Sequence, residues 1–309
     1  MVVLKTIFDF TKYLPDCISE LKLILYPMKT IVFFIIALIA GIPSTLLAQT
    51  TTTTGPENGT LVIVGGGRLD ASIVDKFVEL AGAENAHIVV IPTAGGRDSY
   101  TEDAGGAGTF KEAGAGMVTV LHTTDPEEAD TDAFIEPLKS ATAVWFSGGR
   151  QWRLVDAYAG TKTEAMFWEV LNDGGVIGGS SAGATIQGSY LARGDTQTNQ
   201  IMMGDHEEGF GFVKNIAIDQ HVIARNRHFD MFNILENKPE LLGMSIDEST
   251  AVVVTGNTFE VIGSSYVIMY DGGFWSREGS SAKKLPSEDL FYFLRSGDKY
   301  DLVKRTVIE

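Results

Sequence analysis

Four apolar, β-branched runs in this chain stop on glycine, and helical periodicity follows. "TLVIVGGG" begins at Thr60, "HIVVIPTAGG" at His87, "ATAVWFSGG" at Ala141 and "GGVIGGSSAGA" at Gly174. Runs that are apolar throughout, rather than at every second residue, belong to strands buried on both faces. The stretches between them supply the covers: in "DASIVDKFVELAG", Ile73, Phe77 and Leu80 fall on one helical face, and "QWRLVDAYAG" starts another helix. "MVTVLHT" reads as a further strand. Downstream come a strand "NIAIDQH", a helix near Phe229 to Asn237, and a closing hairpin region made of "STAVVVTG" and "TFEVIGSSYVIMYDGG". The pattern predicts an α/β fold, a mostly parallel sheet with helices on both faces.

The N-terminal end has a different composition. After Met28 and Lys29, an apolar run from Ile31 to Ile42 leads to a small-residue exit at Ala48. Residues 28–48 therefore read as a secretory signal cleaved between Ala48 and Gln49, which makes the mature chain secreted or periplasmic. The 19 residues from Thr30 to Ala48 carry no charge, so a membrane anchor is the alternative. Residues 1–27 read as an upstream extension, 49–59 as an exposed linker, and 60–309 as one domain. The whole chain stands at −16; its first 48 residues hold four lysines against three carboxylates, leaving −17 on the rest. Such a surface repels nucleic acid. The single cysteine, Cys17, precedes the cleavage point, so the mature chain has no disulfide, thiolate metal site or cysteine nucleophile. No cofactor or metal is expected. "GGGRLD" departs from the dinucleotide fingerprint at Asp70, and "DHEE" has no second histidine at ligand spacing.

Gly179 to Gly183 fit G-x-S-x-G, a nucleophile elbow. Its sharp strand-to-helix turn needs small neighbours and lifts the Ser181 hydroxyl clear of the sheet, while the Ala182 amide faces a developing oxyanion. A tight turn with a capping serine is the structural alternative. Of the five histidines, His122 and His221 each end a strand; His221 closes "NIAIDQH" at the carboxyl end where α/β sites assemble, and Ser181, acid, His221 is the hydrolase chain order. Asp195 is the preferred acid, lying between the two in a polar loop, with Asp219, Glu207 and Glu208 as rivals. Arg225 and Arg227 follow His221 closely and suit carboxylate recognition.

Taken together, "LVIVGGG", "IVVIPTA", "FSGGRQWRL", "GGSSAGA", "IDQH" with "RNR", "PELLGMSIDESTAVVV" and "FEVIGSSYV" resemble the cyanophycinase-like serine peptidases, which include aspartyl dipeptidases. The resemblance implies a flavodoxin-like fold akin to class I glutamine amidotransferases. It also implies Ser181 as nucleophile, His221 as base and Asp195 as acid, with oxyanion amides from Gly149 and Ala182. Gln151, Asp219, Gln220, Arg225 and Arg227 would line the substrate pocket, and a homodimer is expected because relatives are often dimers. The implied activity is that of a secreted exopeptidase on cyanophycin, an aspartate–arginine polymer, or on related β-aspartyl and acidic peptides. Two departures bear on substrate: Arg150 stands where the family usually has aspartate, and Asp230 where a third arginine is common. A silent binding protein for acidic peptides and a small-substrate esterase are the rival functions.

Overall fold

A computed structural model describes residues 52–279 and 285–309. The signal-or-anchor segment and the extension before it lie outside the described residues. Among those described, no helix is long and apolar enough to cross a membrane.

The glycine-stopped runs become β1 (Thr60–Val64), β2 (His87–Ile91), β4 (Ala143–Phe146) and β5 (Val176–Ser180), with β3 (Met117–Val120) at the edge. These five pair in parallel in the order β3-β2-β4-β5-β1. Their alternate residues enter different layers, which is why the runs are apolar throughout. Val62, Val64, Val90 and Trp145 pack with Ile73, Phe77 and Phe110 from the helices Ala71–Ala81 and Ala107–Glu112. Leu61, Ile63, Ile91 and Phe146 face Leu154, Phe167 and Leu171 of the helices Trp152–Tyr158 and Lys162–Asn172. The first of these helices starts on Asp70, whose Oδ1 accepts the Ser72 amide at 2.9 Å, and ends on Gly82 at φ 114°.

A second, five-stranded sheet is built around β6 (Gly188–Tyr190), β7 (Val213–Gln220) and β8 (Leu242–Ile246), all parallel. Ile216, Ile218, Met244 and Ile246 from this sheet join the same core as Leu61 and Ile63, so the two sheets share one apolar layer. The chain then returns to the first sheet as β9 (Thr250–Thr255), antiparallel to β1, and β10 (Thr258–Gly263), antiparallel to β9.

The expected closing hairpin is thus β9–β10, but its second run is two strands. At Gly263 the chain leaves for the second sheet, where β11 (Tyr266–Tyr270) pairs with β8 and with β12 (Tyr292–Arg295). Short strands β13 (Lys299–Asp301) and β14 (Thr306–Ile308) complete the nine-stranded sheet. The exposed linker is also corrected in its described part. Thr53 is fully buried and its Oγ1 donates to Asn215 O at 3.0 Å, so this stretch is docked on the start of β7.

Candidate active site

The two sheets bring the carboxyl ends of four strands together. In the first, Val64 of β1 is in register with Ser180 of β5; in the second, Gln220 of β7 is in register with Ile246 of β8. Ser181, His221 and Asp247 are the residues that follow three of these ends.

Ser181 has φ 58° and ψ −111°, outside the regions open to L residues at little cost. Strain of this kind costs of the order of 1–3 kcal/mol and persists only where the surroundings impose it. Here they do: Ser181 N donates to Val64 O at 3.0 Å, and the chain turns at once into the short helix Ala182–Thr185. The flanking residues have no room for a side chain. A Cβ on Gly179 would overlap the Gly183 carbonyl, and one on Gly183 the Phe146 carbonyl.

His221, 5% exposed, also has positive φ (55°), with its amide on Gly65 O at 2.9 Å. Its Nε2 lies 2.9 Å from Ser181 Oγ, and its Nδ1 lies 2.6 Å from Glu248 Oε1. A carboxylate at Nδ1 assigns the proton to that nitrogen and leaves Nε2 as the acceptor facing serine. Burial pushes the imidazole below its ordinary value of 6.5; the hydrogen bond to Glu248 opposes this, while the charges of Arg225 and Arg227 add to it. The base is thereby kept neutral at physiological pH. The other four histidines have other partners. His87 meets Ser140 and Thr119, His122 meets Thr93 and Arg97, His206 meets Asp156, and the His228 ring lies tilted against Phe229.

Asp195 makes no hydrogen bond or ion pair with His221 among the described residues. Its Oδ1 accepts the amides of Gln197 (3.0 Å) and Thr198 (2.7 Å), and its carbonyl accepts from Arg150. The polar loop position that made it a candidate is an aspartate turn that closes on itself. Of the rivals, Glu207 pairs with Lys238 and Asp219 with Arg193. Glu248 has no local sequence signal: it lies two residues past the end of β8, and only the pairing of β8 with β7 sets it beside His221. The neighbouring Asp247 fixes the turn after the histidine, accepting the amides of Ile223 and Ala224 at 2.9 Å each and the Ser265 hydroxyl at 2.6 Å.

The glycines after β1 have a role that a nucleotide fingerprint does not describe. Gly66 (φ 117°) lies against the imidazole, so that any Cβ would overlap the His221 ring; a Cβ on Gly67 would sit 2.7 Å from Glu248 Oε2. The run is a platform for the His221 ring and the Glu248 carboxylate.

The expected substrate residues separate into two layers. Arg225 is exposed, Arg227 is largely buried with its Nη1 on Gln220 O and Oε1 at 3.2 Å, and both line a pocket of about 510 Å³ with Arg193, Asn199 and Asp230. Asp219, fully buried, instead holds Arg193 through two bonds of 2.7 and 2.9 Å and has no exposed oxygen to offer a ligand. Gln151 is 1% exposed and donates to Ala192 O and Arg193 O, and Gln220 supports Arg227 from beneath. These three therefore back the pocket wall. A larger cavity of about 690 Å³ lies around Arg68 and Asp70 at the start of the first helix, away from the arginine pair. Gly148 lies against Ser181, and the amides of the next residue, Gly149, and of Ala182 have no hydrogen-bond acceptor among the described residues.

A hydroxyl on a neutral imidazole that is held by a carboxylate is an arrangement that activates oxygen for attack on an acyl carbon. Fold and site together define an α/β serine hydrolase. The model of Peptidase family S51 matches residues 61–262, and the chain belongs to that family of serine-type peptidases. It is 30% identical to the cyanophycinase of Geminocystis herdmanii over 255 residues, which cover 78% of this chain and 93% of that protein. To the cyanophycinase of Trichormus variabilis it is 28% identical over 262 residues, covering 81% and 88%. Among solved structures, a peptidase from an acI-B1 Actinobacterium shares the fold at a TM-score of 0.60 and 24% identity, over 79% of this chain and 97% of that one.

Proposed function

We propose that this peptidase is an exported exopeptidase for β-aspartyl and other acidic peptides, cyanophycin among them, working through Ser181, His221 and Glu248. The observation that carries the reading is the continuous path from Ser181 Oγ to His221 (2.9 Å) to Glu248 (2.6 Å) on strained backbone at the strand ends. His221 Nε2 takes the serine proton as Oγ attacks the amide carbonyl. Glu248 holds the imidazole in the tautomer that can accept it and stabilises the imidazolium. The Gly149 and Ala182 amides receive the oxyanion. His221 then protonates the departing amine, and water, deprotonated in turn by His221, releases the acid from the acyl-enzyme. Arg225 and Arg227 clamp a substrate carboxylate, which places a positive pocket on an acidic protein. The apolar run from Ile31 to Ile42 with its small-residue exit at Ala48 supports export, and the N-terminal sequence of the mature chain tests it.

The decisive experiment follows dipeptide release from purified cyanophycin, and hydrolysis of β-aspartyl dipeptides, by the protein and its Ser181→Ala variant. Turnover lost by roughly 10³-fold or more in the variant is expected. A folded Ser181→Ala protein that still turns over either substrate overturns the reading.

A further inference from the structure

The arginine pocket also contains a carboxylate, which the fold holds in place while leaving one of its oxygens open. Arg193, 1% exposed, is bound on one side by fully buried Asp219, through Nε–Oδ1 at 2.7 Å and Nη2–Oδ2 at 2.9 Å. Its Nη1 donates to Asn199 O at 3.0 Å. Asp219 thus already balances the guanidinium. Asp230 then adds a second carboxylate to the same cation, Oδ2 on Nη2 at 2.6 Å, with its side chain 40% exposed to the pocket. Its other oxygen, Oδ1, has no hydrogen-bond partner among the described residues.

Across the same pocket, Arg225 and Arg227 form no ion pair within 4.0 Å among the described residues. The pocket wall therefore offers two guanidinium groups outside any close ion pair and, on Asp230, a carboxylate oxygen without a hydrogen-bond partner, with the Asp230 charge also felt by Arg227. Buried Arg193 fixes the position of that carboxylate, so little side-chain freedom is lost when a ligand binds it. The pocket is also within reach of the chemistry: the Arg225 amide donates to His221 O at 2.9 Å.

The geometry points to Asp230 as a specificity residue that recognises an N–H cation on the substrate, next to the carboxylate held by Arg225 and Arg227. The preferred ligand is then a unit carrying both charges rather than a purely acidic peptide. This rests on the peptidase reading above and narrows its substrate class. The cation has two sources in a β-aspartyl peptide, a free α-ammonium group or an arginine side chain. Both match a carboxylate in hydrogen-bonding chemistry.

The test is calorimetric binding to the full-length Ser181→Ala protein, which removes turnover from the measurement. The probes are β-aspartyl-arginine, its N-acetyl form, β-aspartyl-norleucine and N-acetyl-β-aspartyl-norleucine. The last, without a cation, is expected to bind roughly tenfold more weakly than the first, the scale of one charged hydrogen bond. The single-cation peptide that keeps its affinity identifies the source. Asp230→Asn retains an oxygen for Arg193 and is expected to bring the ratio between first and last close to one; Asp230→Glu is expected to restore it. Equal affinity for all four peptides overturns the assignment, as does absence of binding or a uniform loss in Asp230→Asn. Failure of the nucleophile assignment would show separately, as turnover by Ser181→Ala.

Discussion

Glu248 Oε1 lies 2.6 Å from His221 Nδ1 although 27 residues separate the two in the chain. They meet because β7 and β8 run parallel with Gln220 opposite Ile246, so that the residues just past both strand ends emerge side by side. Gly66 and Gly67 leave the space that the ring and the carboxylate occupy.

Replacing Glu248 by Gln should lower kcat by roughly 10²- to 10⁴-fold, because an amide holds the imidazole less well and cannot stabilise the imidazolium. Asp195→Ala should instead lower stability by about 1 kcal/mol through loss of its turn bonds. Steady-state kinetics with thermal denaturation of both variants checks this. A kcat defect in Asp195→Ala matching that of Glu248→Gln would return the acid to Asp195.

The pH dependence of kcat/KM should have its acid limb below 6.5. Burial, then the Arg225 and Arg227 charges, hold His221 below that value, and the base works only when neutral, so activity is retained as pH falls through 6.5 and lost as it passes the lowered value. Arg225→Ala removes one depressing charge and should move the limb upward. A limb above 6.5 in the unmodified enzyme, or a downward shift in the variant, would contradict this electrostatic account.

Gly66→Ala should reduce kcat by roughly 10²-fold with the fold intact, since displacing a reacting group by about 1 Å carries that scale of penalty. The new methyl would meet the imidazole ring, and φ 117° would be strained for alanine. Circular dichroism beside the kinetics separates a displaced histidine from an unfolded chain.

Arg193→Ala should cost about 3–5 kcal/mol of stability, because it strands the fully buried Asp219 carboxylate without its partner. Urea denaturation measures it. A loss under about 1 kcal/mol would mean that water or another donor replaces the guanidinium.

Short-range geometry was legible in the sequence. The glycine-stopped runs become parallel strands because a segment buried on both faces must be apolar throughout, as Leu61 and Val62 are in opposite layers. The elbow at Ser181 follows from the small residues at Gly179 and Gly183, and His221 from its place at a strand end. Gly263 was less legible: nothing in "TFEVIGSSYVIMY" itself says that the chain changes sheets there.

By itself, then, the sequence determined the strands and the sharp turn at Ser181, which depend on apolar patterning and on small residues within a few positions of one another. Tertiary structure alone decided which carboxylate meets His221, the division of the expected pocket residues into wall and backing, and the partnership of Arg193 with Asp219 and Asp230. Those depend on which strand ends share an edge and which carboxylate finds a buried cation, and such pairings arise from packing between elements far apart in the chain.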